Sequence, residues 1–227
     1  MPHDVQNHPL LTMPTTIPYI TTRKGERDEA ASRLGVLPHA GLSYVNEGPG
    51  DRDSRGVLWA RCSQSRDTAG RLTGVPLFRE VHPARQRECM TSLRCQICVQ
   101  QASRTDAGYL FLQSRHPEDP KEPGWPEGTL TAQPPLCLKH GVLSGEECVH
   151  LASAGFIALR SRRPRLYGVT GTRYRLNGTF SLEPVTDEHV TVPYGDPTAA
   201  MFLASQLVRR LGDVTVVDLA AEWEAAV

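Results

Sequence analysis

The chain has 227 residues and equal numbers of basic and acidic side chains, so its formal charge is zero. This balance gives no reason to expect bulk attraction to nucleic acid or to an anionic membrane. No apolar run approaches the roughly 18 residues that a membrane-spanning helix needs, and residues 1–27 lack the basic start and apolar block of a secretory signal. We therefore expect a cytoplasmic globular protein with no membrane partner.

The first 94 residues predict an arm followed by a small α+β segment. Residues 1–25 are rich in proline, threonine and histidine and show no sustained periodicity, which is typical of a flexible N-terminal arm. A short helix is expected from Glu26 to Leu34. The β-prone runs Leu42–Val45 and Val57–Ala60 flank a loop of turn residues and predict a hairpin. We interpret residues 26–94 as an α+β N-terminal segment with this β-hairpin.

The next helix leads to a pair of cysteines. Val75–Phe78 is expected to be extended, and Pro83 suits the first turn of a helix that runs to about Leu93. Met90 on this helix is a predicted core residue. The helix would end just before Cys95.

The clearest chemical pattern is a set of four metal-ligand residues in two close pairs. Cys95 and Cys98 are separated by two residues, and after 38 intervening residues Cys137 and His140 have the same separation. Such a pair lies on one tight turn and can bind one ion, and structural Zn²⁺ is held tetrahedrally by two pairs drawn from cysteine and histidine. The spacing therefore predicts one Zn²⁺ per chain, bound by Cys95, Cys98, Cys137 and His140.

The other cysteines leave alternatives open. Cys148 and His150 follow His140 closely and could replace one ligand or begin a second site. Cys62 and Cys89 lie outside both pairs, and we expect them to be ordinary reduced thiols, because free cysteine packs as a small hydrophobe. Small disulfide scaffolds are shorter and denser in cysteine than this chain.

Residues 95–154 form the predicted zinc-binding module. Tyr109–Leu112 is β-prone and is expected to pair with Gly128–Ala132, across a proline-rich loop in which Trp125 covers a small core. The stretch from Cys137 to about Ala154 predicts a helix that Gly141 and Gly145 interrupt. A cysteine turn, a hairpin and a helix that carries the second ligand pair resemble treble-clef zinc fingers.

Residues 155–227 predict a β-hairpin and a helix that pack with the rest as one compact unit. Phe156–Leu159 and Leu166–Tyr174 are expected strands joined by an arginine-rich turn, and His189–Val192 is another. Asp196 suits the N-cap of a helix whose apolar residues recur at helical spacing as far as Leu211. A strand and a short terminal helix should follow, at Val214–Val217 and Leu219–Ala226. The predicted fold class is α+β, with a treble-clef-like zinc module followed by a small β-rich segment and a C-terminal helix.

One stretch of this region suggests contact with nucleic acid. Six arginines and no acidic residue lie between Cys148 and Leu182. Arginine binds phosphates and tyrosine stacks on bases. However, arginine outnumbers lysine 22 to 3 in the whole chain, so the cluster also fits general residue usage on a solvated hairpin face. The candidate residues are Arg160, Arg162, Arg163, Arg165, Tyr167 and Arg173, of which the first four arginines are expected to form an exposed basic edge.

Three functions fit these patterns. The first is a zinc-stabilised intracellular interaction protein, regulatory and in contact with nucleic acid. The second is a metal-dependent enzyme such as an HNH-like nuclease, with His116 as the general base, although a ligand set of three cysteines and one histidine leaves no zinc position for water. The third is an accessory protein that binds a protein partner through the Trp125 loop and the N-terminal arm. The common nucleotide-binding, hydrolase and metalloprotease motifs are absent from the sequence.

The chain as a whole also resembles a group of actinobacterial proteins with a zinc-binding module of this kind. The resemblance is carried by Val81–Arg87, Leu93–Cys98, Pro134–Cys137 and Leu203–Val208. It implies the same zinc module and no particular activity.

Overall fold

The computed structural model describes residues 16–29, 33–115, 123–148, 151, 155–179, 181–185 and 190–226. Over these residues the chain is a mixed α/β protein in which strands predominate, so the expected mixture of helices and strands is confirmed. None of the helices in these ranges is long and apolar enough to cross a membrane.

The strands in chain order are β1 (Thr21–Arg23), β2 (Leu34–Leu37), β3 (Gly41–Tyr44), β4 (Leu58–Trp59), β5 (Pro76–Val81), β6 (Arg104–Thr105), β7 (Gly108–Ser114), β8 (Leu130–Thr131), β9 (Phe156–Ser161), β10 (Arg165–Leu176), β11 (Leu182–Pro184), β12 (Val190–Pro193), β13 (Phe202–Arg210) and β14 (Val214–Val217). The α-helices are α1 (Pro83–Ser92), α2 (Leu138–Glu147) and α3 (Leu219–Glu224), and a 3₁₀ helix spans Pro197–Met201.

Two sheets organise the molecule. The larger has the order β11-β10-β13-β4, with β12 also paired to β10 and β8 also paired to β13. The smaller has the order β14-β9-β7-β6 and is antiparallel throughout. Strand β1, which lies in the predicted N-terminal arm, is buried and pairs with β5.

The helix predicted from Asp196 to Leu211 is wrong beyond its first turn. The Asp196 carboxylate does cap this turn, because it accepts the backbone N–H of Thr198. The turn is a 3₁₀ helix that ends at Met201, and the chain continues as strand β13, most of which is buried. A strand covered on both faces need not alternate apolar and polar residues. The apolar positions of this stretch therefore fit a central strand as well as they fit a helix.

Three predicted hairpins are also wrong. Strand β3 pairs with β2 and not with β4, β8 pairs with β13 and not with β7, and β9 and β10 belong to different sheets. Strand β9 is buried over most of its length, which suits a central strand with a partner on each side. It finds those partners in β7 and β14, which are distant in sequence.

The helix expected from Glu26 to Leu34 is wrong over its described residues. Glu26 and Asp28 form isolated bridges, and Leu34 begins β2. The Glu26 carboxylate instead receives two hydrogen bonds, of 2.6 and 2.8 Å, from the guanidinium of Arg85, and both side chains are fully buried. This ion pair ties the N-terminal segment to helix α1.

Helix α1 is confirmed, and it is joined to the larger sheet by buried polar side chains. The amide of Gln86 donates to the carbonyl of Leu207 and accepts its N–H, both at 2.9 Å. Arg209 donates to the carbonyl of Met90 at 2.7 and 3.0 Å, near the C-terminal end of α1. Burial lowers the pKa of Arg209 to about 10. These bonds fix the end of α1, from which the chain enters the metal-ligand region.

Candidate metal centre

The first ligand pair lies on a tight turn directly after α1. The helix ends at Leu93, which has a left-handed φ of 51° and serves as its C-cap. The N–H of Cys95 then donates to the carbonyl of Gln100 at 2.8 Å, and the N–H of Val99 donates back to the carbonyl of Cys95 at 2.9 Å. These bonds close the turn that carries Cys95 and Cys98.

The second pair lies at the start of α2. Cys137 is the N-cap residue, and His140 lies in the first turn. The segment before α2 is hydrogen-bonded to the turn that carries Cys95 and Cys98, because the N–H of Gln96 donates to the carbonyl of Pro135 at 3.1 Å. The N–H of Leu136 donates to the carbonyl of Leu110 on β7 at 3.0 Å. The two pairs, far apart in sequence, are thus held against one another by backbone contacts.

The four predicted ligands form one cluster. Their ligand atoms all lie within 4.8 Å of one another. The His140 Nδ1 atom is 3.1 Å from the Cys137 sulfur and 3.6 Å from the Cys95 sulfur. A tetrahedral zinc ion with ordinary bond lengths places a sulfur and a nitrogen ligand about 3.6 Å apart. The four residues therefore lie close enough together to hold one metal ion.

The alternative ligands do not join this cluster over the described residues. Cys148 is the C-cap of α2, and the ten residues of that helix separate it from Cys137 at the N-cap. His150 and His116 lie outside the described residues. None of the six cysteines forms a disulfide, and burial raises the pKa of Cys62 to about 11 and that of Cys89 to about 12.

The cluster adjoins an apolar core that includes Leu110, Leu112 and Leu136. Cys95 is fully buried, whereas Cys98, Cys137 and His140 are partly buried. Burial raises the pKa of the three thiols and lowers the pKa of His140. Neutral imidazole is the form that binds a metal, and a bound divalent cation offsets the free-energy cost of burying charged thiolates. The protein thus supplies donors whose charge is best compensated by a bound cation.

Backbone N–H groups support the most buried sulfur. Those of Cys137, Cys98 and Ile97 lie close enough to the Cys95 sulfur to oppose the effect of burial on its pKa. Hydrogen bonds from such groups orient a thiolate ligand and stabilise its charge.

Two glycines determine how closely α2 approaches the smaller sheet. A Cβ atom on Gly141 would lie 2.9 Å from Leu110, and one on Gly145 would lie 2.6 Å from the ring of Phe156. Both glycines were expected to interrupt the helix, but α2 is continuous through them. They allow α2 to pack against β7 and β9, which places His140 beside the sulfurs.

The Trp125 loop packs onto part of the hydrophobic core. Trp125 packs against a buried cluster that includes Phe111, Leu159 and Leu211. The interpretation of Trp125 as a cover over a small core is therefore confirmed.

Arg160, the first arginine of the expected basic edge, is buried. Arg160 is 1% exposed, and its guanidinium forms two 2.6 Å hydrogen bonds with the carboxylate of Glu222. It also donates to the Gly108 carbonyl at 2.9 Å and to Ser103 Oγ at 3.0 Å. The expectation that Arg160 is exposed is wrong, because β9 is the central strand that α3 covers, and Glu222 on α3 neutralises the inward-facing charge.

The remaining candidates are at the surface or close to it. Arg162, Arg163 and Arg165 are exposed, while Tyr167 and Arg173 are half-buried. Arg163 forms an ion pair with Asp213, and Arg162 donates to the backbone of Asp106. The sequence interpretation missed Arg210, which is exposed and lies opposite Arg165 in the β10–β13 ladder. Its alternation with the buried Arg209 would have indicated this only if β13 had been recognised as a strand.

Comparison of the chain with protein-family models, with curated proteins and with solved structures finds no match. The chemistry available to the site is that of its own residues. Three sulfur donors and one imidazole nitrogen can supply four ligands to one metal ion.

Proposed function

We propose that this chain is a zinc-stabilised intracellular interaction protein in which the ion has a structural role. The observation that carries the proposal is the convergence of three sulfurs and one imidazole nitrogen to within 4.8 Å of one another. Soft thiolate ligands with one imidazole in a closed tetrahedral set are typical of structural zinc. The closed set is also the reason that a metal-dependent enzyme is not proposed.

The proposal includes a treble-clef arrangement of the module. Support comes from the order of a cysteine turn at residues 95–98, the antiparallel pair β6–β7, and helix α2 with the second ligand pair in its first turn. The hairpin in this arrangement is β6–β7, which replaces the pairing of β7 with Gly128–Ala132 that the sequence suggested.

Metal analysis tests the structural role. Protein purified without added zinc should contain about one equivalent of it, because metal binding and folding are coupled. Cys137→Ser should lose the metal and much of the thermal stability. Cys62→Ser, which changes a partly buried thiol outside the cluster, should keep both. Folded wild-type protein without metal, or a Cys137→Ser variant with unchanged zinc content, would contradict the proposal.

We further propose that the protein contacts nucleic acid through the exposed arginines Arg162, Arg163 and Arg165. Their exposure supports this proposal, while the ion pair between Arg163 and Asp213 reduces the local positive charge. Each arginine that neutralises a phosphate releases a counterion, so affinity should fall steeply with salt.

Retention on immobilised mixed-sequence nucleic acid is the appropriate measurement. The triple variant with alanine at Arg162, Arg163 and Arg165 should bind more weakly, with zinc content and melting temperature nearly unchanged, since exposed charges contribute little to stability. Arg71→Ala is the matched control, because Arg71 is an exposed arginine in another loop, paired with Asp67. If the wild type is not retained at about 50 mM salt, where electrostatic binding is strong, nucleic-acid contact is excluded and a protein partner becomes the proposal.

A further inference from the structure

Two exposed arginines face each other at one end of the larger sheet. In the antiparallel ladder between β10 and β13, Arg165 lies directly opposite Arg210. Side chains at such positions have Cβ atoms roughly 5 Å apart, and like charges there are destabilising. Two carboxylates lie nearby: Asp213 forms its ion pair with Arg163, and Glu127 accepts the backbone N–H groups of Asp213 and Val214. Among the described residues neither forms an ion pair with Arg165 or Arg210. The pair is therefore left with excess positive charge.

An aromatic side chain adjoins this pair because of a β-bulge. The register shifts between Leu166 and Gly168, so Tyr167 is the additional residue on β10. Bulges change the direction of a side chain and often occur beside functional sites. The guanidinium carbon of Arg210 lies 4.6 Å from the centre of the Tyr167 ring. Arg210 is thus held against an aromatic surface, although it has no carboxylate partner among the described residues.

The third strand adds an apolar side chain to the same face. Leu130 on β8 lies directly opposite Arg210 on its other side, and it is 41% exposed. An exposed row of Leu130, Arg210 and Arg165 therefore crosses three strands, with Tyr167 beneath Arg210. The flat guanidinium of Arg210 and the neighbouring Leu130 offer a surface on which a base can stack. Arg165 offers a positive charge for the adjacent phosphate.

We propose that Arg165, Arg210 and Tyr167 form a nucleotide-binding position for single-stranded nucleic acid. An unpaired base stacks on the Arg210 guanidinium, which Tyr167 supports from below, and Arg165 binds the adjacent phosphate. Bases stack on guanidinium planes and aromatic rings in this way when they are not already stacked within a duplex. The inference rests on the proposed nucleic-acid contact and adds to it a preference for single strands and a role for Arg210.

The test is fluorescence anisotropy with a labelled mixed-sequence single strand of about 12 nucleotides, within the usual range of single-strand site sizes, and with its duplex. Wild-type protein should bind the single strand more tightly. Arg210→Ala should weaken single-strand binding about fivefold or more, the lower end of a lost stacking contact. Arg210→Lys should also weaken it but retain the salt dependence, because lysine keeps the charge and lacks the planar guanidinium. Arg165→Ala should reduce the salt slope by about 1.

Arg71→Ala again serves as the control, and zinc content and melting temperature are measured for every variant. If single strand and duplex bind equally, and binding depends on Arg162 and Arg163 but not on Arg210, this inference is overturned while the proposed nucleic-acid contact stands. Absence of binding to either probe at about 50 mM salt overturns both. If Arg210→Ala does not fold, Arg210→Lys and Arg165→Ala still give the outcome.

Discussion

The ion pair between Arg160 and Glu222 distinguishes a structural arginine from a nucleic-acid-binding one. In the variant Glu222→Ala, the Arg160 guanidinium would keep its bonds to Gly108 and Ser103 but lose both 2.6 Å bonds to a carboxylate. Arg160 is 1% exposed, so water cannot readily replace those bonds, whereas Glu222 is 24% exposed and is easier to rehydrate. Loss of one partner of a buried pair costs about 3–5 kcal/mol. The partial exposure of Glu222 places the expected loss near the lower end, about 3 kcal/mol.

For a chain of this length that loss corresponds to a fall in melting temperature of roughly 6–12 °C. The assay is thermal unfolding by circular dichroism at one buffered zinc concentration, because bound metal raises the apparent stability. Glu183→Ala is the matched control, since it removes the carboxylate of the Arg175–Glu183 pair, whose side chains are 65% and 36% exposed. This exposed pair should contribute no more than about 1 kcal/mol. Equal effects of the two substitutions would refute the structural role of Arg160.

Three further predictions concern pH, packing and thiol chemistry. Burial raises the pKa of Glu26, but its hydrogen bonds from Arg85 and the backbone outweigh this and lower that pKa to about 2, from an ordinary 4.5. The resulting stabilisation, about 3 kcal/mol, is present above the unfolded pKa and is lost as pH falls towards the folded one. The free-energy difference between wild type and Glu26→Gln should therefore shrink over this range. Gly145→Ala should destabilise the protein by about 1 kcal/mol net, since contact with the Phe156 ring outweighs the gain in helix propensity. Removal of zinc by a chelator should make Cys98 reactive towards a maleimide, while the buried Cys89 stays protected in protein that remains folded.

Each of these has a simple check. A difference between wild type and Glu26→Gln that stays constant with pH would refute the first. Gly35→Ala is the control for the second, because a Cβ atom there would meet nothing within 4 Å. A stable Gly145→Ala variant would show that α2 can move away from the sheet. For the third, mass spectrometry of peptides identifies the labelled cysteines. Equal labelling of Cys98 before and after chelation would refute that prediction.

The parts of the structure that the sequence predicted well depend on local chemistry. Pro83 marks the start of α1, and two cysteines separated by two residues mark a ligand turn. These signals involve neighbouring residues, so they do not depend on how the rest of the chain folds. The four ligand residues are accordingly the part of the candidate site that the sequence located.

Strand partners and burial of charge were not predictable in this way. The apolar residues of β13 fit two periodicities, and the choice between them depends on β10 and β4, which cover its edges. Arg160 belongs to an arginine-rich stretch, and only its non-local partner Glu222 shows that it faces inward. Because Arg210 lies within the misassigned stretch, its position opposite Arg165 could not be inferred either.

X-ray absorption spectroscopy at the zinc edge of protein as purified tests the central claim most directly. A closed site formed by Cys95, Cys98, Cys137 and His140 predicts three sulfur ligands at about 2.3 Å and one nitrogen at about 2.0 Å. The same spectrum from His140→Ala should lose the nitrogen contribution and keep the sulfurs. A wild-type spectrum with fewer than three sulfur ligands, or with a bound water oxygen, would contradict the structural zinc site.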